Sequence, residues 1–186
     1  YCSVHSEYYD GVKASDDYDA LPFIQKLSEE GRLTPETFVA FMGGEPTMLK
    51  EFPDIVKPLL KKNCRIEVLS NGIEYSPAIS DILKAPNRNN ICISPDCGSR
   101  EAYKRIKGVD KFDNVVATIK RYIEESDGNS DRIKLKYIIF PNINDDKAEI
   151  DKFFSLCQKL GIKTVSRAVN HHDSKMNTSN QVIETS

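Results

Sequence analysis

Gly43-Gly44-Glu45-Pro46 is the segment of this chain best suited to binding chemistry. Two adjacent glycines leave the main chain uncovered, so its N–H and C=O groups can meet a ligand, and they supply the positive φ of a tight turn. Glu45 beside them offers a carboxylate to an ammonium group. Ser70-Asn71-Gly72 and Ser94-Pro95-Asp96 contribute hydroxyl, amide and carboxylate groups, and Pro141-Asn142 and Asn170-His171 complete the set. Taken singly, each is ordinary turn punctuation. Their coincidence matters because of what precedes each one.

All five follow short runs rich in Val, Ile, Phe or Tyr, at 38–42, 66–69, 90–94, 134–140 and 163–169, which predict strands. Between them lie amphipathic stretches. Residues 145–160 put Ile150, Phe153, Phe154, Cys157 and Leu160 on one face before Gly161 stops the helix. Residues 110–126 do the same with Val115, Val116, Ile119, Tyr122 and Ile123, and Ser76-Pro77 opens another helix as a cap followed by proline. Residues 51–63 read as helical, with Pro58 predicting a kink or a late start. Alternating strands and helices imply right-handed crossovers on a parallel sheet, either an open doubly wound sheet or a barrel. In both, ligands bind at the carboxyl ends of the strands, so one mouth would gather all five segments.

Composition limits the function classes. The 186 residues suit one domain with a real core, and 26 basic against 28 acidic residues leave a formal charge of -2. With a sequence pI near 6.0 there is no large basic field for nucleic acid. No apolar run approaches the ~18 residues a membrane span needs, and no signal stretch opens the chain, so a soluble, cytoplasmic protein is expected. Cys2, Cys64, Cys92, Cys97 and Cys157 form no regular framework and are expected to be reduced.

On these segments the chain resembles the radical S-adenosylmethionine (radical SAM) enzymes. Phe41-Met42-Gly43-Gly44-Glu45-Pro46-Thr47 is similar to their GGEP motif, and Ser70-Asn71-Gly72 to the segment closing their next strand. Ile93-Ser94-Pro95-Asp96, then Glu101 to Ile106 with its Tyr-x-x-Ile pattern, then Phe112-Asp113-Asn114-Val115, resembles the family's Ser-x-Asp and the helices after it. The opening Tyr1-Cys2-Ser3 fits the end of the family's C-x-x-x-C-x-x-C signature. The resemblance implies an α/β fold, a partial parallel (β/α)6-type barrel without its first strand, over residues 1–170, with 171–186 as a tail or linker. It implies a 4Fe-4S cluster with Cys2 as one ligand, since soft thiolates hold three irons and leave the fourth open.

S-adenosylmethionine is then the implied cosubstrate. By the same resemblance Gly43, Gly44, Glu45 and Pro46 hold its amino group, and Ser70, Asn71, Ser94 and Asp96 approach its ribose or carboxylate. Arg105 lies where some members place a carboxylate-binding arginine, and Arg100 competes for that role. The parent protein is expected to form a deoxyadenosyl radical that modifies a small-molecule or peptide substrate, with a flavodoxin or ferredoxin as reductant. The chain alone, with one cluster cysteine, is expected to be inactive. The rival readings are another barrel enzyme, an aldolase or hydrolase using Glu45, Asp96 and a histidine, and a non-catalytic barrel binding domain.

The remaining reactive residues have plainer readings. Cys64, Cys92 and Cys157 read as small buried hydrophobes, and Cys97, although it follows Asp96, as an incidental loop thiol. His5 reads as loop, and His171 and His172 beside Asp173 as surface residues near a fraying end. Arg167, inside a strand, must be paired or face a polar lumen, which makes it a candidate for a carboxylate. The pairs Lys61-Lys62, Glu124-Glu125 and Asp145-Asp146 read as solvated faces and helix ends.

Overall fold

The computed structural model describes residues 20–86, 88–169 and 181–184. Its elements alternate as the sequence predicts. Helix α1 (Ala20–Glu29) leads into strand β1 (Phe38–Phe41), followed by α2 (Phe52–Lys61), β2 (Arg65–Ser70), α3 (Pro77–Lys84) and β3 (Asn90–Ile93). Two helices, α4 (Arg100–Lys107) and α5 (Phe112–Glu125), precede β4 (Ile133–Ile139); α6 (Lys147–Leu160), β5 (Thr164–Val169) and β6 (Gln181–Glu184) complete the order.

The strands lie in the sheet in their sequence order, β1 to β6, with β1 through β5 parallel. Sequential order distinguishes the two sheet types left open by the sequence. A doubly wound sheet reverses direction at a switch point, whereas a barrel winds one way throughout. Among the described residues this sheet winds one way and does not close, with β1 at one edge and β6 at the other. The last strand departs from expectation: β6 pairs antiparallel with β5, Thr164 opposite Glu184, within the span read as a tail.

Alternation along the strands separates two faces. Ile66, Val68, Ile91, Ile93, Ile133, Leu135 and Val165 point to the helices and are at most 2% exposed. They pack against Ile55, Leu59, Ile79, Val115, Ile119 and Phe153, forming the core. The alternate positions, including Glu67, Cys92, Lys134, Lys136, Ser166 and Ala168, line the inner, concave-facing side that a barrel fold uses as its lumen.

Two helix expectations change in detail. Helix α2 begins at Phe52 and runs through Pro58, so there is no late start. The buried side chains of Phe52, Ile55, Val56 and Leu59 hold it despite the bond that Pro58 cannot donate. Ser76 stands at the N-cap of α3 without a capping bond from its side chain; its N–H donates to the Tyr122 hydroxyl at 2.9 Å. The clearest caps are Asp146, which accepts from Glu149 N at 3.0 Å, and left-handed Gly161 (φ 66°), closing the two ends of α6.

Candidate functional site

Parallel strands in sequence order bring the segments after β1, β2, β3 and β4 to one end of the sheet. Gly43 (φ 83°) and Gly44 (φ 62°) turn the chain out of β1 in the left-handed region, and no atom lies within 4 Å of where a Cβ would stand on either. The main chain is therefore open at both residues. Pro46 is buried at the start of a 3-10 turn, Pro46–Met48, capped by Glu45.

Glu45 joins two strand ends. Its Oε1 accepts from Thr47 N at 3.3 Å, Thr47 Oγ1 at 2.8 Å and Ser70 Oγ at 2.8 Å. Its Oε2 accepts from Asn71 N at 2.6 Å. The carboxylate expected at an ammonium is thus occupied by four donors of the protein itself, and it braces the glycine turn against the end of β2. The brace continues inward: Ser70 Oγ accepts from Gly72 N at 3.0 Å, Asn71 Oδ1 from Ile73 N at 2.8 Å, and Ser94 N donates to the Ser70 carbonyl at 3.2 Å. Gly72 must be glycine, because a Cβ there would lie 2.6 Å from Ile93 Cγ2 at a φ of 71°.

Beyond Ser94 the expected site residue Asp96 is engaged by groups of the protein itself. Asp96 is 1% exposed and holds a left-handed φ of 59°. Its Oδ1 accepts from Ile138 N at 3.0 Å and its Oδ2 from Lys107 Nζ at 2.5 Å, while its own N–H donates to the Lys136 carbonyl at 3.2 Å. A carboxylate so paired clamps β3 to β4 and to the end of α4. Asn144, fully buried, extends the clamp by donating from Nδ2 to the carbonyls of Asp96 (2.6 Å) and Ile138 (2.8 Å) and accepting from Phe140 N (2.6 Å).

Glu149 secures the same loop from the other side. Its two oxygens accept from Gly98 N and Ser99 Oγ, both at 2.8 Å, and Ser99 Oγ accepts from Ala102 N at 3.3 Å to cap α4. The sequence reading did not include Glu149, Asn144 or Lys107. Asp146-x-x-Glu149 carries a capping-box pattern, which points Glu149 back at its own helix rather than 51 residues upstream.

Arg100 and Arg105 have protein partners of their own. Arg100 forms a bidentate pair with Asp110 at 2.7 and 2.8 Å, which raises its own pKa and lowers that of Asp110. Arg105, exposed, donates to the Asn142 carbonyl at 3.0 Å in the loop after β4. Arg167 lies on the helix side of β5, at a small cavity of about 90 Å³ with Tyr137, Ile139, Ile150, Phe153, Phe154 and Val165. It is neither in a polar lumen nor at the mouth, because strand alternation puts it in step with Val165.

Burial pushes the thiols of Cys97 and Cys157 up to about 12 and that of Cys92 up to about 11. Such thiols stay protonated and serve as apolar filling, as expected of Cys92 and Cys157; Cys97 is buried too, with its Sγ donating to the Pro95 carbonyl. Among the described residues no three His, Cys, Asp or Glu side chains gather as metal ligands. Cys2, His5, His171, His172 and Asp173 lie outside the described residues.

Known proteins share this architecture. The fold resembles that of SuiB from Streptococcus suis, with a TM-score of 0.63 at 14% identity over 90% of this chain and 36% of that one. SuiB bound to S-adenosylmethionine superposes with a TM-score of 0.60 at 15% identity, over 76% of this chain and 31% of that one. In sequence, the chain is 31% identical over 128 residues to a probable GTP 3',8-cyclase of Saccharolobus islandicus, covering 68% of this chain and 39% of that protein. The GTP 3',8-cyclase of Haemophilus influenzae is 28% identical over 132 residues, 70% of this chain and 36% of that enzyme. The chain thus spans less than two fifths of the length of these curated relatives. The model of the radical SAM superfamily matches residues 1–154, and with the glycine turn, its Glu45 brace and the one-way sheet this establishes that the chain belongs to the radical SAM superfamily.

Proposed function

We propose that the whole protein cleaves S-adenosylmethionine reductively and uses the resulting deoxyadenosyl radical to modify a small-molecule or peptide substrate. The carrying observation is the Glu45 brace, which fixes an open Gly43-Gly44 main chain beside Ser70, Asn71 and Ser94 in a chain of this family. When bound, a 4Fe-4S cluster supplies the electron for that cleavage, and we assign Cys2 as one of its ligands. The donor set elsewhere supports this assignment: the described cysteines are buried, and none belongs to a group of metal-binding side chains.

The residues of the chain divide the work of binding. The main-chain carbonyls of Gly43 and Gly44 take the methionyl ammonium beside Glu45, whose Oε1 is filled by three donors and whose Oε2 holds, among the described residues, only Asn71 N. Pro46 fixes the turn. The Ser94 hydroxyl and the Asn71 side-chain amide face the ribose or carboxylate. Asp96 fixes the end of β3 to β4 through Ile138, and Arg105 borders the mouth at Asn142. A flavodoxin or ferredoxin is the proposed electron donor in the cytoplasm; no described helix is long and apolar enough to cross a membrane.

The test is anaerobic reconstitution of the whole protein with iron and sulfide, followed by reduction with S-adenosylmethionine. Deoxyadenosine should be released, and Cys2→Ala should abolish it. A protein that binds no cluster and releases no deoxyadenosine would instead be a barrel that binds without this chemistry.

A further inference from the structure

The inner face of the sheet carries two lysines on β4, and they differ in one respect. Lys134, with its side chain 33% exposed, pairs with Glu67 Oε1 at 3.6 Å across β3. Lys136, two residues nearer the mouth and half-buried, has no carboxylate within ion-pair distance among the described residues. Strand register sets Ser166 directly beside it, and Ser94 follows Ile93, the partner of Leu135, on the opposite side. A hydroxyl therefore flanks the ammonium-bearing residue on each neighbouring strand.

The main chain at Lys136 is held firmly. Asp96 takes hold on both sides of it, donating to the Lys136 carbonyl at 3.2 Å and accepting from Ile138 N at 3.0 Å. Asp96 itself is fixed by Lys107 and Asn144. A cation on a rigid strand, aimed at a concave face without a counter-charge, is built for a ligand rather than for stability. Its field is felt on that face: of the charges acting on the buried Cys92 thiol, that of Lys136 is foremost, opposing the upward push of burial.

We propose that Lys136, with Ser166, binds a phosphate group of the substrate. This rests on the reading of the site given above and names the substrate class for it. Planar carboxylates are matched best by the fork of arginine, whereas lysine acts as a point charge that suits a tetrahedral oxyanion, and hydroxyls supply further donors. Lys134 is already paired with Glu67, so among the described residues Lys136 is the inner-face ammonium left for a ligand, at the level of the strand ends where ligands bind.

Lysine-selective acetylation of the full chain, followed by mass spectrometry, reads the site without any turnover. Inorganic pyrophosphate should slow the labelling of Lys136 at least threefold and saturably, leaving Lys134 and exposed Lys57 unchanged. Ser166→Ala should weaken that protection, and Lys134→Met should not. Equal protection by acetate would overturn the phosphate assignment, and uniform slowing at all lysines would reveal only ionic strength. Protection by S-adenosylmethionine with none by pyrophosphate would give Lys136 to the cosubstrate and overturn the proposal. Because the readout needs no cluster, absence of deoxyadenosine in the reconstituted protein would remove the proposed reaction and leave this binding result standing.

Discussion

The two halves of the mouth are built in opposite ways. Across β1 and β2 the chain is open: Gly43 and Gly44 have free space above them, and one half-buried carboxylate, Glu45, ties the turn to Ser70 and Asn71. Across β3 and β4 it is closed: Asp96, Asn144 and Glu149 are each at most 5% exposed and their polar atoms are spent on one another's loops. Buried polar networks are costly unless complete, and complete ones fix geometry. The open half therefore suits binding and the closed half suits rigidity, although both carry residues of the same chemical types.

The comparison can be broken most severely at Asp96. Asp96→Ala leaves Lys107, 18% exposed, without its carboxylate and frees Ile138 N, and should cost about 3 to 5 kcal/mol in urea unfolding. Adding Lys107→Met should recover part of that loss, since the unpaired charge is then gone. Gly98→Ala is expected next, at about 3 kcal/mol, because its Cβ would lie 2.1 Å from Phe153 N and the backbone of α6 cannot yield cheaply.

The open half should respond differently. Glu45→Gln must present an amide NH₂ to one of its protein donors, an effect of about 1 to 2 kcal/mol on stability. Its larger consequence is functional: in the reconstituted protein the KM for S-adenosylmethionine should rise about tenfold while kcat changes less than about threefold. A stability loss as large as that of Asp96→Ala, with KM unchanged, would erase the distinction between the halves.

This contrast also explains what the sequence disclosed. Strands announce themselves locally through β-branched runs, and the turns that follow them through Gly, Pro, Ser and Asn, so the five parallel strands and the mouth were legible. Side-chain direction within the mouth was not. Ser94-Pro95-Asp96 places Asp96 at a strand end, but only the left-handed φ of 59° and the distant Lys107 and Ile138 N turn its carboxylate inward. Glu149 escaped for the same reason, its partners lying across the fold. Strand β6 carries only Val182 and Ile183 as a local signal in a polar stretch, and its pairing with β5 gives it its place in the sheet. The choice between doubly wound sheet and barrel needed strand order, which no local pattern contains.

A carboxylate outside the mouth supplies the smallest effect and the control for the others. Glu125, in the helical layer, accepts from Tyr75 Oη at 2.7 Å, Ser80 Oγ at 2.6 Å and Arg121 Nε at 2.9 Å, with Lys84 Nζ at 3.4 Å. Like Glu45 it has four donors, but it bridges α3 and α5 rather than two strand ends. The hydroxyls of Ser80 and Tyr75, then Arg121, hold its pKa down at about 2 from an ordinary 4.5. A carboxyl depressed in the folded state binds fewer protons there than in the unfolded chain, so its contribution is complete above about pH 4.5 and is lost as pH falls toward about 2. Glu125→Gln should flatten the acid limb of stability in that window, seen as urea midpoints converging on those of the unaltered protein near pH 2. Deoxyadenosine release by the reconstituted protein near pH 7 should be unchanged. Loss of release on Glu125→Gln would mean that four donors on a carboxylate mark function anywhere in this fold, and that the position of Glu45 at the strand ends carries no special meaning.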